Sequence, residues 1–148
     1  MYQRILSPID GSPASDRGMA EAIALAKDQG ARLRFVHVLD LQPPLLNQGG
    51  MRLIPDLSDL VRRDGEQIAE RALQAAAQVG VQAEHAIVES PGGRIAQLVL
   101  GEAARWPADL IVMGTHGRRG ASRLLLGSDA QAVLQQAEAP VLLVRAPG

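Results

Sequence analysis

The stretch Leu110-Ile111-Val112-Met113-Gly114-Thr115-His116-Gly117 decides the architecture. Its four consecutive apolar residues show no polar alternation, which describes a strand covered on both faces, as in a parallel sheet. A loop over Gly114–Leu126 follows at once, and Ser128 is expected to N-cap a helix running to about Gln136. A buried strand passing through a glycine loop into a helix is the repeating unit of α/β sheets.

The same alternation extends in both directions. Arg4-Ile5-Leu6 predicts a first strand that stops at Pro8, which has no N–H for a ladder. Ser12 is a good N-cap, Pro13 fits the first helical position, and Asp16 lies in the first turn. Met19, Ala22, Ile23 and Ala26 recur at helical spacing before Gly30, which can close the helix in the left-handed region. Leu33, Phe35, Val36 and Val38 read as a second strand. Residues 39–56, with two prolines and two glycines in pairs, are the least regular stretch.

A long helix is expected from about Leu57 to Val79, stopped by Gly80, then a strand over Ala83–Val88 and a turn at Ser90-Pro91-Gly92-Gly93. A helix bearing Ile95, Leu98 and Val99 ends at Trp106-Pro107, with Trp106 as a packing anchor, and Val141–Val144 makes a last strand. The reading is α/β: one doubly wound, five-stranded parallel sheet over residues 1–148 with helices on both faces.

Composition narrows function. The 148 residues are 47% hydrophobic, carry a net charge of −1 and include no cysteine. Tyr2, Phe35 and Trp106 are the only aromatics, too few for a base-stacking platform, and a near-neutral chain has no electrostatic footprint for nucleic acid. Lack of cysteine excludes disulfides, thiolate metal sites and cysteine nucleophiles. No apolar run reaches the ~18–20 residues that span a bilayer, and MYQRILSPIDGS lacks the profile of a signal peptide. The expectation is a soluble cytoplasmic domain with no nucleic-acid or membrane partner.

Chemistry concentrates between Met113 and Asp129. Gly114, Gly117 and Gly120 recur every third residue, and His116, Arg118, Arg119 and Arg123 follow with no acid among them. Glycine amides and a helix N-terminus at Gly127-Ser128 suit a phosphate; a flexible loop before an ordinary capped helix is the plainer alternative. Ligands in doubly wound sheets bind beyond the carboxyl ends of strands, where the winding reverses. If the first and fourth strands are neighbours, Pro8-Ile9-Asp10 faces the glycine loop. Asp10 could then accept from a ribose hydroxyl or help hold a cation through water, or be an ordinary turn carboxylate beside the N-cap. Asp129 complements the helix dipole, and it would repel a triphosphate only if aimed into the crevice. His37 and His85 fall in strands as hydrogen-bonded structural residues, and His116 is placed to touch phosphate with no nucleophile beside it. The charges of Arg62, Arg63, Asp64, Glu66, Glu70 and Arg71 read as the solvated face of the long helix.

Ile5-Leu6-Ser7-Pro8-Ile9-Asp10-Gly11-Ser12, Val36-His37-Val38, Asp109–Gly117, Gly127-Ser128 and Ala139–Val144 together resemble the universal stress protein family over essentially the whole chain. The family's pattern Gly-x2-Gly-x9-Gly-[Ser/Thr] is matched by Gly114, Gly117, Gly127 and Ser128. The resemblance implies strand order 3-2-1-4-5 and ATP bound with Mg²⁺ or Mn²⁺ through its phosphates. Asp10 would contact the ribose, the Val38 backbone the adenine, and Gly117, Gly127 and Ser128 the phosphates. Pro8, Ile9, Met113, Gly114, His116, Arg118 and Asp129 complete the implied site. It further implies a homodimer through Val141–Val144. A module with an empty site and a slow ATP hydrolase are the alternatives, the latter without a visible catalytic base.

Overall fold

The computed structural model describes residues 1–41, 55–92, 94–116 and 125–146. In chain order these form β1 (Arg4–Pro8), α1 (Pro13–Gln29), β2 (Arg32–Asp40), α2 (Pro55–Gln78), β3 (Ala83–Ser90), α3 (Ile95–Arg105), β4 (Leu110–Gly114), α4 (Ser128–Gln136) and β5 (Val141–Val144). All strand pairs are parallel, and the order is β3-β2-β1-β4-β5. Winding therefore reverses between β1 and β4.

Local signals set most boundaries. The Ser12 hydroxyl accepts from the Ser15 amide at 3.2 Å, Pro13 begins α1, and Gly30 ends it at φ 63°, a conformation that costs glycine no Cβ clash. Several boundaries differ from those expected, among them the end of β3, which runs past Val88 to Ser90 where the turn was expected. β2 continues beyond Val38 to Asp40, because every residue from Leu33 to Asp40 has a partner in β3. α2 starts at Pro55, where a missing N–H breaks no helical hydrogen bond.

Alternate residues of each strand feed two cores. Ile5, Leu33, Phe35, Leu110 and Val112 meet Ala22, Ile23 and Ala26 of α1 and Ile68, Ala72 and Ala76 of α2. Leu6, Val36, Ile111 and Met113 meet Ala96, Val99 and Ala103 of α3 and Ala130 and Val133 of α4. The period of two thus places one helix pair on each face. Arg62, Arg63, Asp64, Glu66, Glu70 and Arg71 all lie on the exposed side of α2, and Arg62 pairs with Glu89.

The amino-terminal end of the sheet is closed by charge. Both carboxylate oxygens of Asp109 accept backbone amides at 2.9 Å, from Gln3 and Arg4, which fixes the start of β4 against β1. Nearby, Arg34 on β2 reaches Glu102 on α3 at 2.5 Å and Glu84 on β3 at 3.2 Å. Trp106 is buried as expected; its Nε1–H donates to Glu84 at 2.7 Å, and the Arg34 guanidinium lies 5.0 Å from its ring centroid. Burial pushes the Glu84 carboxyl up, but hydrogen bonds from Arg34 and Trp106 and the charges of Arg34 and Arg32 hold it below the usual carboxylate value.

The two edges differ. β3 exposes His85 and Glu89 and pairs Glu84 with Arg32 at 3.3 Å, whereas β5 is Val-Leu-Leu-Val with Leu142 exposed.

Because the folded carboxyl of Glu84 titrates below its reference value of 4.5, its stabilising contribution is complete above that value and fades as pH falls through the folded pKa. Urea unfolding midpoints of wild type and Glu84→Gln should differ at neutral pH and converge on acidification. A gap that stays constant on acidification well below the reference value contradicts this account.

Candidate functional site

At the carboxyl end of the sheet, β1 and β4 share only the pairs Ile5–Leu110 and Leu6–Ile111 before their continuations enter loops. This is the neighbouring arrangement on which a common crevice depends. Ile9 bonds through its amide to the Val36 carbonyl at 2.9 Å, and its own carbonyl accepts from His37 Nδ1 at 2.7 Å. The buried His37 is therefore structural, as expected, whereas His85 is exposed.

Asp10 follows in a compact turn. Its Oδ1 accepts from the Ser12 amide at 2.8 Å, and its own amide donates to Ser15 Oγ at 2.9 Å. Gly11 lies at φ 77°, which the turn requires and a side chain rarely adopts. Asp10 is thus a turn carboxylate, held half-buried at the mouth of β1. Pro8 is half-buried, Ile9 belongs to the α1/α2 core, and Met113 to the α3/α4 core. Val38 packs beside the latter core, opposite Val88 in β3.

Gly114 has a reason that its place in a glycine-rich loop hid. A Cβ there would stand 2.5 Å from the Ala14 carbonyl, and a Cβ on Gly18 would stand 2.8 Å from the Gly114 amide. The end of β4 and the first turns of α1 touch backbone to backbone, which sets Gly114 directly against the helix start that follows the Asp10 turn. Gly18 was missed by the sequence reading, since a lone glycine within a helix gives no sign of what it approaches.

His116 is likewise engaged within the chain. Its Nδ1 lies 3.0 Å from Thr115 Oγ1, and its Nε2 donates to the Leu125 carbonyl. The Gly127 amide donates to the Thr115 carbonyl at 2.8 Å, and a Cβ at Gly127 would lie 3.0 Å from that oxygen.

The helix start needs correction. Gly127, extended at φ −60° and ψ 148°, is the N-cap, and its carbonyl accepts from the Gln131 amide at 2.9 Å. Ser128 is therefore the first helical residue rather than the cap, and it is exposed. The first turn of an α-helix leaves amides without intrahelical acceptors, which is the arrangement an anion can use. Ser128 and the half-buried Asp129 line a groove with Arg94, Ile95, Gln97 and Gln136, between the amino end of α3 and the length of α4. Gly117, Arg118, Arg119 and Arg123 lie outside the described residues. Among the described residues no cluster of three His, Asp or Glu side chains offers a metal site, so a cation there would need oxygens from a ligand, with Asp10 and Asp129 the carboxylates nearest in chain to the crevice. That donor set fits a cation carried by phosphates.

The profile of the universal stress protein family matches residues 1–145. A universal stress protein of Thermus aquaticus is 38% identical over 98% of this chain and all of its own length. One of Methanocaldococcus jannaschii is 35% identical over 99% of this chain and 84% of its own. Among solved structures, the universal stress protein UspA of Lactobacillus plantarum superposes with TM-score 0.81 at 25% identity, covering 97% of this chain and 98% of that one. A universal stress protein solved in complex with cAMP superposes with TM-score 0.73 at 25% identity over 99% of both chains.

Replacing Gly114 by Ala forces backbone apart at the contact with Ala14 and should cost about 1–3 kcal/mol of stability, the range for overpacking. Gly101→Ala, where nothing lies within 4 Å, should instead gain about 0.5–1 kcal/mol from helix propensity. Urea midpoints check both; a Gly114→Ala protein as stable as wild type removes the packing argument.

Proposed function

The chain belongs to the universal stress protein family, and from that premise we propose that residues 1–148 act as one cytoplasmic nucleotide-binding domain in stress response or signalling. Its ligand is an adenine nucleotide, ATP carried with Mg²⁺ or Mn²⁺, bound in the crevice at the carboxyl ends of β1 and β4. The observation that carries the reading is the winding reversal itself: Asp10 and the open first turn of α4 stand at the ends of adjoining segments. A related structure holding cAMP supports adenine as the base.

In this reading Val38 backbone groups meet the adenine, Asp10 accepts from the ribose, and the first-turn amides of α4 hold phosphate. Pro8, Ile9, Met113 and Gly114 shape the floor, which matches their burial or close packing in the two cores. Gly127 contributes by letting the chain approach Thr115, because its amide is already donated. A divalent ion would neutralise phosphate charge when bound and would be held through the phosphates. No helix among the described residues is long and apolar enough to cross a membrane.

One observation favours the empty-site alternative: the Gly127 amide and both His116 nitrogens are satisfied within the chain. Denaturing freshly purified protein and resolving the supernatant by anion exchange should release an adenylate, and calorimetry with MgATP should register binding that Gly117→Val with Gly127→Val abolishes. Equal, negligible heats for both proteins mean that the site does not bind.

We also assign a homodimer through β5, whose apolar edge invites pairing with a second copy. Light scattering at micromolar concentration should give twice the chain mass, and Leu142→Glu should return it to one. A monomeric wild type rejects the assignment.

A further inference from the structure

We propose that His37 is a positioning residue for the candidate site. Its side chain occupies the Ile9 carbonyl, which ends the β1–β2 ladder early, leaves the Val38 amide unused by β1, and fixes the peptide that carries Asp10. The inference rests on the nucleotide-binding reading, and it gives the buried His37 a task beyond packing.

Hydrogen-bond parity along β2 carries it. The Arg32 amide donates to the Gln3 carbonyl, and the Val36 carbonyl accepts from the Ile9 amide, both at 2.9 Å. The Leu33 amide instead donates to the Gln82 carbonyl, on the β3 side, at 3.2 Å. Even-numbered residues of β2 thus turn their main-chain groups towards β1 and odd-numbered ones towards β3. Val38 therefore faces the line of β1, which has already ended at Pro8. The next acceptor on that line is the Ile9 carbonyl, and among the described residues no backbone bond joins it to Val38. His37 Nδ1 holds it at 2.7 Å.

The same peptide unit is gripped at its other end. The Asp10 amide donates to Ser15 Oγ at 2.9 Å, and His37 and Ser15 are both buried. A planar peptide held through both its C=O and its N–H has little freedom to turn, so Asp10 leaves it in one direction. Behind the ring, a Cβ on Gly65 would lie 2.8 Å from His37 Cδ2 and 3.1 Å from Nε2. Helix α2 thus comes close enough to back the imidazole against Ile9. A carbonyl only accepts, so Nδ1 carries the proton of the neutral ring.

The test compares wild type with His37→Asn and His37→Leu. Asparagine places Nδ2 where Nδ1 stands, keeping the donor and losing volume; leucine keeps volume and loses the donor. Urea midpoints should fall further for His37→Asn, because truncation leaves a cavity. Calorimetric affinity for AMP should run the other way: about tenfold weaker in His37→Leu, the equivalent of one hydrogen bond, and within about threefold of wild type in His37→Asn. In ligand-free His37→Leu, the released Ile9 carbonyl should take the Val38 amide and slow its hydrogen exchange about tenfold. In wild type, saturating AMP should slow exchange of the same amide, and imidazole ¹⁵N shifts should show His37 as the Nδ1–H tautomer.

Affinities that follow the urea midpoints, Val38 exchange unchanged in His37→Leu or by AMP in a wild type that binds it, or an Nε2–H ring each overturn the positioning role. Wild type that binds no AMP overturns the nucleotide reading, and the role towards a ligand falls with it. The ligand-free exchange and the tautomer then report separately whether His37 ends the ladder.

Discussion

The contact between the end of β4 and the first turns of α1 governs the rest of the molecule. At Gly114 and Gly18 there is no room for a single carbon between two backbones. Close-packed interiors tolerate little adjustment at such points, so helix and strand are held at one separation. That separation sets how the carboxyl ends of β1 and β4 sit against the start of α1. Asp10 stands where it does because Ser12 and Ser15 hold its turn on the same helix end that Gly114 touches. The juxtaposition of the Asp10 turn with the end of β4 is thus a by-product of packing.

Much of this was legible because it is local. Ser12, Pro13 and Gly30 delimit α1 through interactions within a few residues, and the apolar run of β4 could only be a strand covered twice. The parallel order needed more: β1 and β4 are over a hundred residues apart, and the resemblance to a known family supplied their adjacency. Boundaries moved where tertiary pairing overrode pattern. Asp40 joins β2 because Ser90 is there to meet it, although an aspartate is a poor strand residue by itself.

The candidate site was less legible, for the same reason inverted. Gly127-Ser128 was visible as a helix start, yet only closure of the chain onto Thr115 shows that Gly127 is the cap and Ser128 stands free of capping duty. His116 looked available because its partners are a neighbouring hydroxyl and a carbonyl nine residues on, and a carbonyl has no signature in a sequence. The charged cluster of Arg34, Glu84, Glu102 and Trp106 was invisible altogether, its members being scattered across β2, β3 and α3. Trp106 read correctly as an anchor, but the partner of its N–H did not.

The unlike edges of the sheet limit how copies of this chain can join by strand pairing. The β3 border carries His85, Glu84 and Glu89, with arginines already bound to the two glutamates, so a strand arriving there meets charge that must be desolvated. The β5 border is apolar and short. Head-to-tail growth would need one border to accept the other, and these two do not match. Pairing of β5 with itself uses up the receptive border on both copies at once, leaving only guarded ones outside. The sheet's asymmetry therefore acts as a chain terminator: it permits a closed pair and opposes a filament.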